Sequence, residues 1–368
     1  MIQRIALLGV GLIGGSLGLA WKKNRDTLTL VGYDAPSVLD EAAQRGAIDE
    51  KAATPEAAVR EADLVVLATP LAPMMRLLEI IAPHLSPGTP VTDVGSVKRP
   101  VMEQALRVLP EANPFIGGHP MAGSETGGIA HADAFLFENA TYVLCPPPGL
   151  PPDTLPRQHA EVVALVEATG ARLLVLDAER HDRIAASVSH LPQLLAITLM
   201  NYAAGLNAKD DAFLRLAAGG FRDMTRIASS PFDMWSHILV ANQGPILDAL
   251  SGFATSLRKV QNRIIEEDQH ALRDAFSEAR RVRDTIPRDT KGFLHPLADL
   301  YVYAEDRPGV LYHITRVLFE AEINIKDIEL LKVREGTGGA FRLSFSDEAT
   351  ADAAVEVLER AGCRAHRL

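Results

Sequence analysis

Gly117-Gly118-His119-Pro120-Met121-Ala122-Gly123-Ser124-Glu125 sets one imidazole in a stretch of glycine and proline. Backbone of that kind presents a side chain to a bound molecule without burying it in a core. An imidazole titrates near neutrality, so His119 is suited to act as a general base; a plain surface histidine is the alternative. A second cluster is Asp93-Val94-Gly95-Ser96-Val97-Lys98, where the Ser96 hydroxyl either caps the helix that follows or hydrogen-bonds the imidazole or a nicotinamide. A third is Gly219-Gly220-Phe221-Arg222-Asp223-Met224-Thr225-Arg226, with Trp235 beyond it. A guanidinium fork matches a planar carboxylate in a partly dry site, while a surface pair between Asp223 and Arg226 is the plain reading.

The elements that hold these groups begin at the N-terminus. Ile5 to Leu8 reads as a buried strand, and Gly9, Gly11 and Gly14 follow it at dinucleotide-binding spacing, with Leu12 and Ile13 opening a helix to about Lys23. That turn places free N–H groups and a positive helix end against a pyrophosphate. The second strand, Leu28 to Tyr33, ends on Asp34, a carboxylate placed to accept both ribose hydroxyls. A carboxylate there repels a 2′-phosphate, and Ala35-Pro36-Ser37 offers no arginine, which predicts NAD over NADP. Helices near 37–45, 55–62 and 74–81 alternate with strands at 64–68, 91–93 and 114–116. Their unbroken Val, Leu and Ala runs predict a parallel sheet covered on both faces. Ligands sit beyond strand carboxyl ends, so Thr69-Pro70, the Ser96 loop and the His119 loop line one crevice.

The chain has 368 residues, 47% hydrophobic and 23% charged, so it is globular and divides into two or three domains. A net charge of −10 argues against a nucleic-acid partner. The apolar start is read as a strand and not a leader, no membrane span is assigned, and two distant cysteines without metal-ligand spacing suit a reducing, cytoplasmic setting. From Asp177 the pattern is helical. Ile184, Val188, Leu191, Leu195 and Leu199 form one stripe of a long helix with Pro192 kinking its middle. A second stripe, Leu247, Leu250, Phe253, Leu257, Val260 and Ile264, is buried either against a second copy or in an intramolecular bundle. Residues 281–296 read as a linker. The rest reads as a βαββαβ, ferredoxin-like module: strand 300–304, helix 310–321, strand 323–333, turn 336–339, strand 340–345, helix 350–361 and strand 363–368. From Asp299 onward 9 basic residues face 13 acidic ones, the wrong sign for an RNA-binding sheet.

The glycine fingerprint Gly9 to Ser16, the Asp93 to Lys98 segment, the His119-Pro120-Met121-Ala122-Gly123 loop and Ser189-His190-Leu191-Pro192 together resemble the prephenate dehydrogenases of tyrosine biosynthesis. The resemblance implies a Rossmann-type NAD-binding domain (1–176), an all-helical substrate and dimerisation domain (177–286) and a regulatory ACT domain (298–368). It implies oxidative decarboxylation of prephenate to 4-hydroxyphenylpyruvate by a homodimer, with arogenate or another 3-hydroxyacid as the alternative substrate. His119 then matches the catalytic histidine, Ser96 the serine that orients it, and Glu125 an acidic residue that gates or orders the pocket. Arg226 matches the residue that binds the ring carboxylate, Ser189 and His190 lie near substrate, and Trp235 lines or braces the pocket. Gln193 stands where some members carry a second histidine; it can hydrogen-bond a substrate carboxylate or keto group, or sit as a solvated polar residue. Asp306-Arg307-Pro308-Gly309-Val310-Leu311 and Ile323-Asn324-Ile325 resemble an ACT domain's amino-acid site, where Gly309 admits a ligand and Asn324 offers donor and acceptor; tyrosine is the expected effector.

Overall fold

The computed structural model describes residues 2–25, 27–123, 126–285, 297–305, 307–334 and 338–367. They fall into two compact units, Met1–Phe276 and Ser277–Leu368. The first carries an eight-stranded sheet of order β3-β2-β1-β4-β5-β6-β7-β8. Its strands are β1 Arg4–Leu8, β2 Thr29–Tyr33, β3 Glu50–Lys51, β4 Leu64–Leu67, β5 Val91–Asp93, β6 Phe115–Pro120, β7 Thr141–Cys145 and β8 Arg172–Val175. Successive β1 residues serve opposite faces: Ile5 and Leu7 join one apolar core with Trp21 and Phe137, while Ala6 and Leu8 join another with Met74 and Val101. Each fully buried Leu or Ile contributes about 1.5–3 kcal/mol, so the central strands anchor everything attached to them. Because β1 pairs with β2 on one side and β4 on the other, the strand order reverses there, which opens a crevice at the carboxyl ends.

The strands read as a parallel sheet are parallel, but the last two strands of the sheet, β7 and β8, run the other way. β1 to β6 run parallel, but β7 runs antiparallel to β6, with Gly117 opposite Cys145 and Pro120 opposite Tyr142. A short apolar run such as Thr141-Tyr142-Val143-Leu144 carries no mark of its direction. Direction is set by the connection: the Met121 N–H donates to the Thr141 carbonyl at 2.8 Å, so the chain enters β7 at the end where it left β6.

Beyond β8 the unit is helical, with Ala178–Ala185, Leu191–Asn207, Gly219–Thr225, Phe232–Ala241 and Gln243–Ile265 as its main helices. The irregularity expected at Pro192 takes the form of a π-helical turn, Ala186–His190, and Pro192 itself lies in the first turn of the next helix. A proline lacks an N–H and crowds the carbonyl four residues back, here Val188, and a widened turn relieves both problems. The expected stripe is not the buried face of this helix: Leu191, Leu195 and Leu199 are half-buried. Ile184 and Val188 are exposed, and the inward face carries Asp182, Ala186, His190, Gln193 and Ala196. Leu247, Phe253, Leu257, Val260 and Ile264 are exposed as well and Leu250 is half-buried, so among the described residues no intramolecular bundle covers that second stripe.

In the second unit a four-stranded antiparallel sheet has the order β10-β11-β9-β12, built from β9 Ala298–Ala304, β10 Asp327–Arg334, β11 Gly338–Phe345 and β12 Arg364–His366. Helices Val310–Glu320 and Glu348–Arg360 pack Ile314, Leu318, Ala354 and Leu358 against Leu300, Val302, Leu343 and Phe345. This is the ferredoxin-like arrangement. β10 starts at Asp327 and not at Ile323, because Ile323 finishes the preceding helix by donating its N–H to the Leu318 carbonyl at 2.9 Å. The expected linker start at Arg281 is helical, since helix Gln269–Arg283 runs through it. Most of the linker, and part of the 336–339 turn, lie outside the described residues.

Candidate active site

The cofactor cradle forms where β1 passes through Gly9-Val10-Gly11 into helix Leu12–Asn24. Gly9 has φ 99°, and an added Cβ would lie 2.6 Å from the Ala68 carbonyl oxygen. A Cβ on Gly14 would overlap the Gly9 carbonyl oxygen, so both glycines permit close packing of turn, helix and β4. Gly11 differs: nothing stands within 4 Å of its Cβ position, which leaves open space at the positive end of the helix. Asp34 braces the turn. Its Oδ2 accepts from the Val10 N–H at 2.7 Å and its Oδ1 from the Ala35 N–H at 2.7 Å, and each oxygen keeps a lone pair for a ribose hydroxyl.

A cavity of about 760 Å³ adjoins this turn, lined by Tyr33, Asp34, Pro36, Leu39, Thr69 and Arg76 among others. The Thr69 hydroxyl is buried without a hydrogen-bond partner, a group left for a ligand, and Pro70 starts helix Leu71–Ile81. The cradle, the carboxylate and the orphaned hydroxyl fit a bound NAD. Arg76 and Lys51 also reach the cavity from elsewhere in the sequence, Lys51 paired with Asp40 at 2.6 Å.

His119 lies on β6, half-buried, at the carboxyl end of the same sheet. Gly118 makes its position attainable, because a Cβ there would overlap the Asp93 carbonyl oxygen. Lys98 and Asp93 fasten the strand from beneath as a fully buried ion pair. The Lys98 ammonium also donates to the Gly118 carbonyl at 2.5 Å, and Asp93 accepts from the Gly118 N–H at 3.0 Å and the Gly95 N–H at 2.8 Å. Every polar atom of the pair therefore has work, which is what makes a buried pair tolerable.

The His119 ring meets His181, Nδ1 to Nε2 at 2.8 Å, with the rings edge to face. His181 Nδ1 in turn meets the Asp182 carboxylate at 2.8 Å. Asp182 accepts the backbone N–H of Lys98 at 2.7 Å and of Arg99 at 2.9 Å, and so caps helix Arg99–Val108. Burial, then the Lys98 ammonium and the neighbouring imidazoles of His181 and His190, hold the His119 pKa well below its ordinary value. His119 is neutral at physiological pH and ready to accept a proton.

The other expected residues gather around this line to different degrees. Ser96 is half-buried on the loop after β5, but no hydrogen bond joins it to His119 among the described residues; the imidazole's partner is His181. His190 is buried, meets the Asn242 amide at 3.2 Å and packs edge-on against Trp235 at 5.9 Å; burial pushes its pKa down to about 4. The Trp235 Nε1–H is buried with no hydrogen-bond partner. Gln193 is buried and not at a solvated kink: it donates to the Ile227 carbonyl at 3.0 Å and so ties the helix to the 3₁₀ turn Arg226–Ser229. Arg226 is exposed on that turn, and Ser189 is half-buried. Pro308 and Gly309 are exposed ahead of helix Val310–Glu320, with Gly309 left-handed at φ 87°; Val310 is half-buried, Asn324 exposed and Ile325 half-buried against the second unit's core. Glu125 and Asp306 lie outside the described residues.

Sequence reasoning missed His181, Asp182 and Asn242. Their signal was present: His181 and Asp182 share a helical face with Ala185 and Ala186, and two polar residues on an otherwise small apolar face imply partners. Asn242 donates to the Asp182 carbonyl at 2.8 Å and thereby joins the two histidine neighbourhoods.

Three family models match in succession: the nucleotide-binding domain of prephenate dehydrogenase over 17–175, the dimerisation domain of prephenate dehydrogenase over 177–278 and the ACT domain over 298–363. The chain is 38% identical over 351 residues to the prephenate dehydrogenase of Bacillus subtilis, covering 95% of this chain and 93% of that one. The fold is similar to that of prephenate dehydrogenase from A. aeolicus, solved with hydroxyphenyl propionate and NAD+ (TM-score 0.71, 28% identity, 78% of this chain and 99% of that one). It is also similar to Synechocystis arogenate dehydrogenase (TM-score 0.67, 31% identity, 77% and 99%).

Proposed function

The chain belongs to the prephenate dehydrogenase family, and we propose how its own residues carry out the NAD-dependent oxidative decarboxylation of prephenate to 4-hydroxyphenylpyruvate. The observation that carries this reading is a neutral, half-buried His119 at the carboxyl end of β6, on the edge of the sheet that holds the cofactor cradle. When bound there, NAD supplies the acceptor for the hydride that leaves the ring carbon. His119 accepts the hydrogen bond of the hydroxyl on that carbon, draws its proton as the hydride leaves and returns it to the oxygen once the ring is aromatic, and Ser96 faces the same hydroxyl from the loop after β5. Arg226 binds the ring carboxylate, which departs as carbon dioxide as the ring becomes aromatic. Trp235, with its indole N–H unpaired, and His190 behind it close the pocket, with Ser189 beside them. Gln193 acts at one remove, by fixing the turn that carries Arg226.

Three functional segments follow: 1–176 for NAD, 177–286 for substrate and dimer contact, 298–368 for control. The ACT domain binds a small-molecule effector, and tyrosine, an amino acid derived from the product, is our choice, held at Pro308-Gly309-Val310 and Asn324-Ile325. Asp306 and Glu125 join these sites by sequence resemblance. A cytoplasmic setting suits a chain in which the one helical stretch among the described residues apolar and long enough to cross a membrane, Ala178–Asn207, keeps His181, Asp182, His190 and Gln193 inside the enzyme.

The test is the rate of NAD reduction by purified protein offered prephenate or arogenate. Prephenate is expected to turn over, and His119→Asn to lower kcat by about 10²–10⁴-fold with NAD affinity unchanged. Preferential turnover of arogenate would displace prephenate as substrate, and a fully active His119→Asn enzyme would remove the base.

A further inference from the structure

We propose that His181 and Asp182 are positioning residues that set the tautomer of His119, leaving its Nε2 unprotonated and facing substrate. The inference rests on the reading of His119 as the base. The argument starts at the far end of the line. Asp182 Oδ1 accepts the Lys98 N–H at 2.7 Å and Oδ2 the Arg99 N–H at 2.9 Å. These are backbone donors whose direction cannot reverse, at the N-terminus of a ten-residue helix, so both oxygens of Asp182 act as acceptors. Asp182 is therefore an acceptor toward His181, so the proton between them sits on His181 Nδ1. With its proton on Nδ1, His181 presents Nε2 to His119 as an acceptor. At 2.8 Å that contact needs a proton, and His119 Nδ1 has to supply it. A neutral His119 with its proton on Nδ1 has a lone pair on Nε2.

Among the described residues, the charged and titratable groups facing the imidazole come from three places. Lys98 and Asp93 belong to β5 and its loop, His181 and Asp182 to helix Ala178–Ala185, and His190 to the π-helical turn. Lys98 is matched by Asp93. That leaves Asp182 as the anion whose hydrogen bonds run to His119. When Nε2 takes the substrate's hydroxyl proton, the imidazolium formed keeps donating from Nδ1 to His181, whose Nδ1–H keeps donating to Asp182. The new positive charge is thus tied to a carboxylate without a further proton having to leave. Asp182 is itself seated on the nucleotide-binding half of the unit while its side chain comes from the helical half, so both halves must be in place for the base to be correctly protonated.

Long-range ¹H–¹⁵N NMR of the full-length resting enzyme with labelled histidine reads the tautomer directly, with no substrate present. His119 is expected to show a bare Nε2 and a protonated Nδ1. Asp182→Asn with its amide nitrogen in the place of Oδ1 keeps an oxygen for the Arg99 N–H, gives up the bond from the Lys98 N–H and offers an amide proton to His181. That reverses both bonds and moves the His119 proton to Nε2. The expected result is a fall in kcat of about 10²–10⁴-fold with KM and NAD affinity near wild type and a lowered unfolding temperature, because one cap bond of the helix is lost; the corresponding change in a serine-protease triad costs about 10⁴-fold. His181→Gln places a carbonyl oxygen where Nε2 was and should stay within about tenfold of wild type, whereas His181→Leu should fall about 10²-fold. A protonated His119 Nε2 in the resting enzyme, an unimpaired Asp182→Asn, or equal damage in His181→Gln and His181→Leu would each overturn the proposal. Absence of prephenate turnover in wild type would sink the reading of His119 as base, while the NMR result would still decide the tautomer.

Discussion

His190 shows how a single buried imidazole ties stability to pH. Its value of about 4 in the fold stands against 6.5 for an unperturbed ring, and the cause is burial of the charged form. The folded state keeps the ring neutral where the unfolded chain takes a proton, so the contribution is complete above about pH 6.5 and is lost as pH falls toward 4. The loss integrates to roughly 3 kcal/mol, and His119, displaced in the same direction, adds to it. Urea unfolding near neutrality and near pH 4 should show this drop, and His190→Gln should make it smaller; an identical drop in the variant would rule His190 out as its source. At this scale the sequence was readable where a residue announced itself by local company, as His119 did among glycines. It was not readable where the function comes from distant residues: nothing near His181 says that it meets a ring 62 positions earlier.

Elements differ in how much space they leave, and Gly11 and Gly118 make opposite tests of that. Gly118→Ala drives a methyl group into the Asp93 carbonyl, so β6 must move away from β5 and carry His119 with it. Both a lowered unfolding temperature and a lowered kcat should follow. Gly11→Ala meets no protein atom and should leave the unfolding temperature within about 2 °C of wild type, since nothing is displaced, while weakening NAD binding by filling the cradle. Equal unfolding temperatures for the two variants would contradict the packing argument. Most elements were legible because their signals are local, such as the glycine turn, the β-branched runs and the βαββαβ order. The direction of β7 was not, since strand composition is the same either way, and the π-helical turn was hidden because Pro192 marks that a helix is disturbed without saying how.

At the scale of the molecule, the exposed row of Leu247, Phe253, Leu257, Val260 and Ile264 is too apolar for water and belongs to the segment matched by a dimerisation domain. Leu257→Lys combined with Ile264→Lys should convert a sedimenting dimer into monomer; a wild-type monomer would refute the assignment. The ACT domain makes control separable from turnover: Asn324→Ala should abolish inhibition by tyrosine and leave the uninhibited kcat intact. Loss of both together would place tyrosine at the catalytic site instead. The reversal at β7 has a consequence for descent. Because β6 and β7 meet at the crevice end, joined by the Met121 N–H and the Thr141 carbonyl, the segment between them leaves and returns at one point beside the cofactor. Doubling the length of such a tethered excursion costs only about 0.6 kcal/mol. Ile129, Ala132 and Phe137 of that segment are core, so insertions and deletions confined to its exposed part around Gly127-Gly128 reshape the rim of the pocket while the sheet, the cradle and the imidazole line stay as they are, and lineages can explore new substrates there.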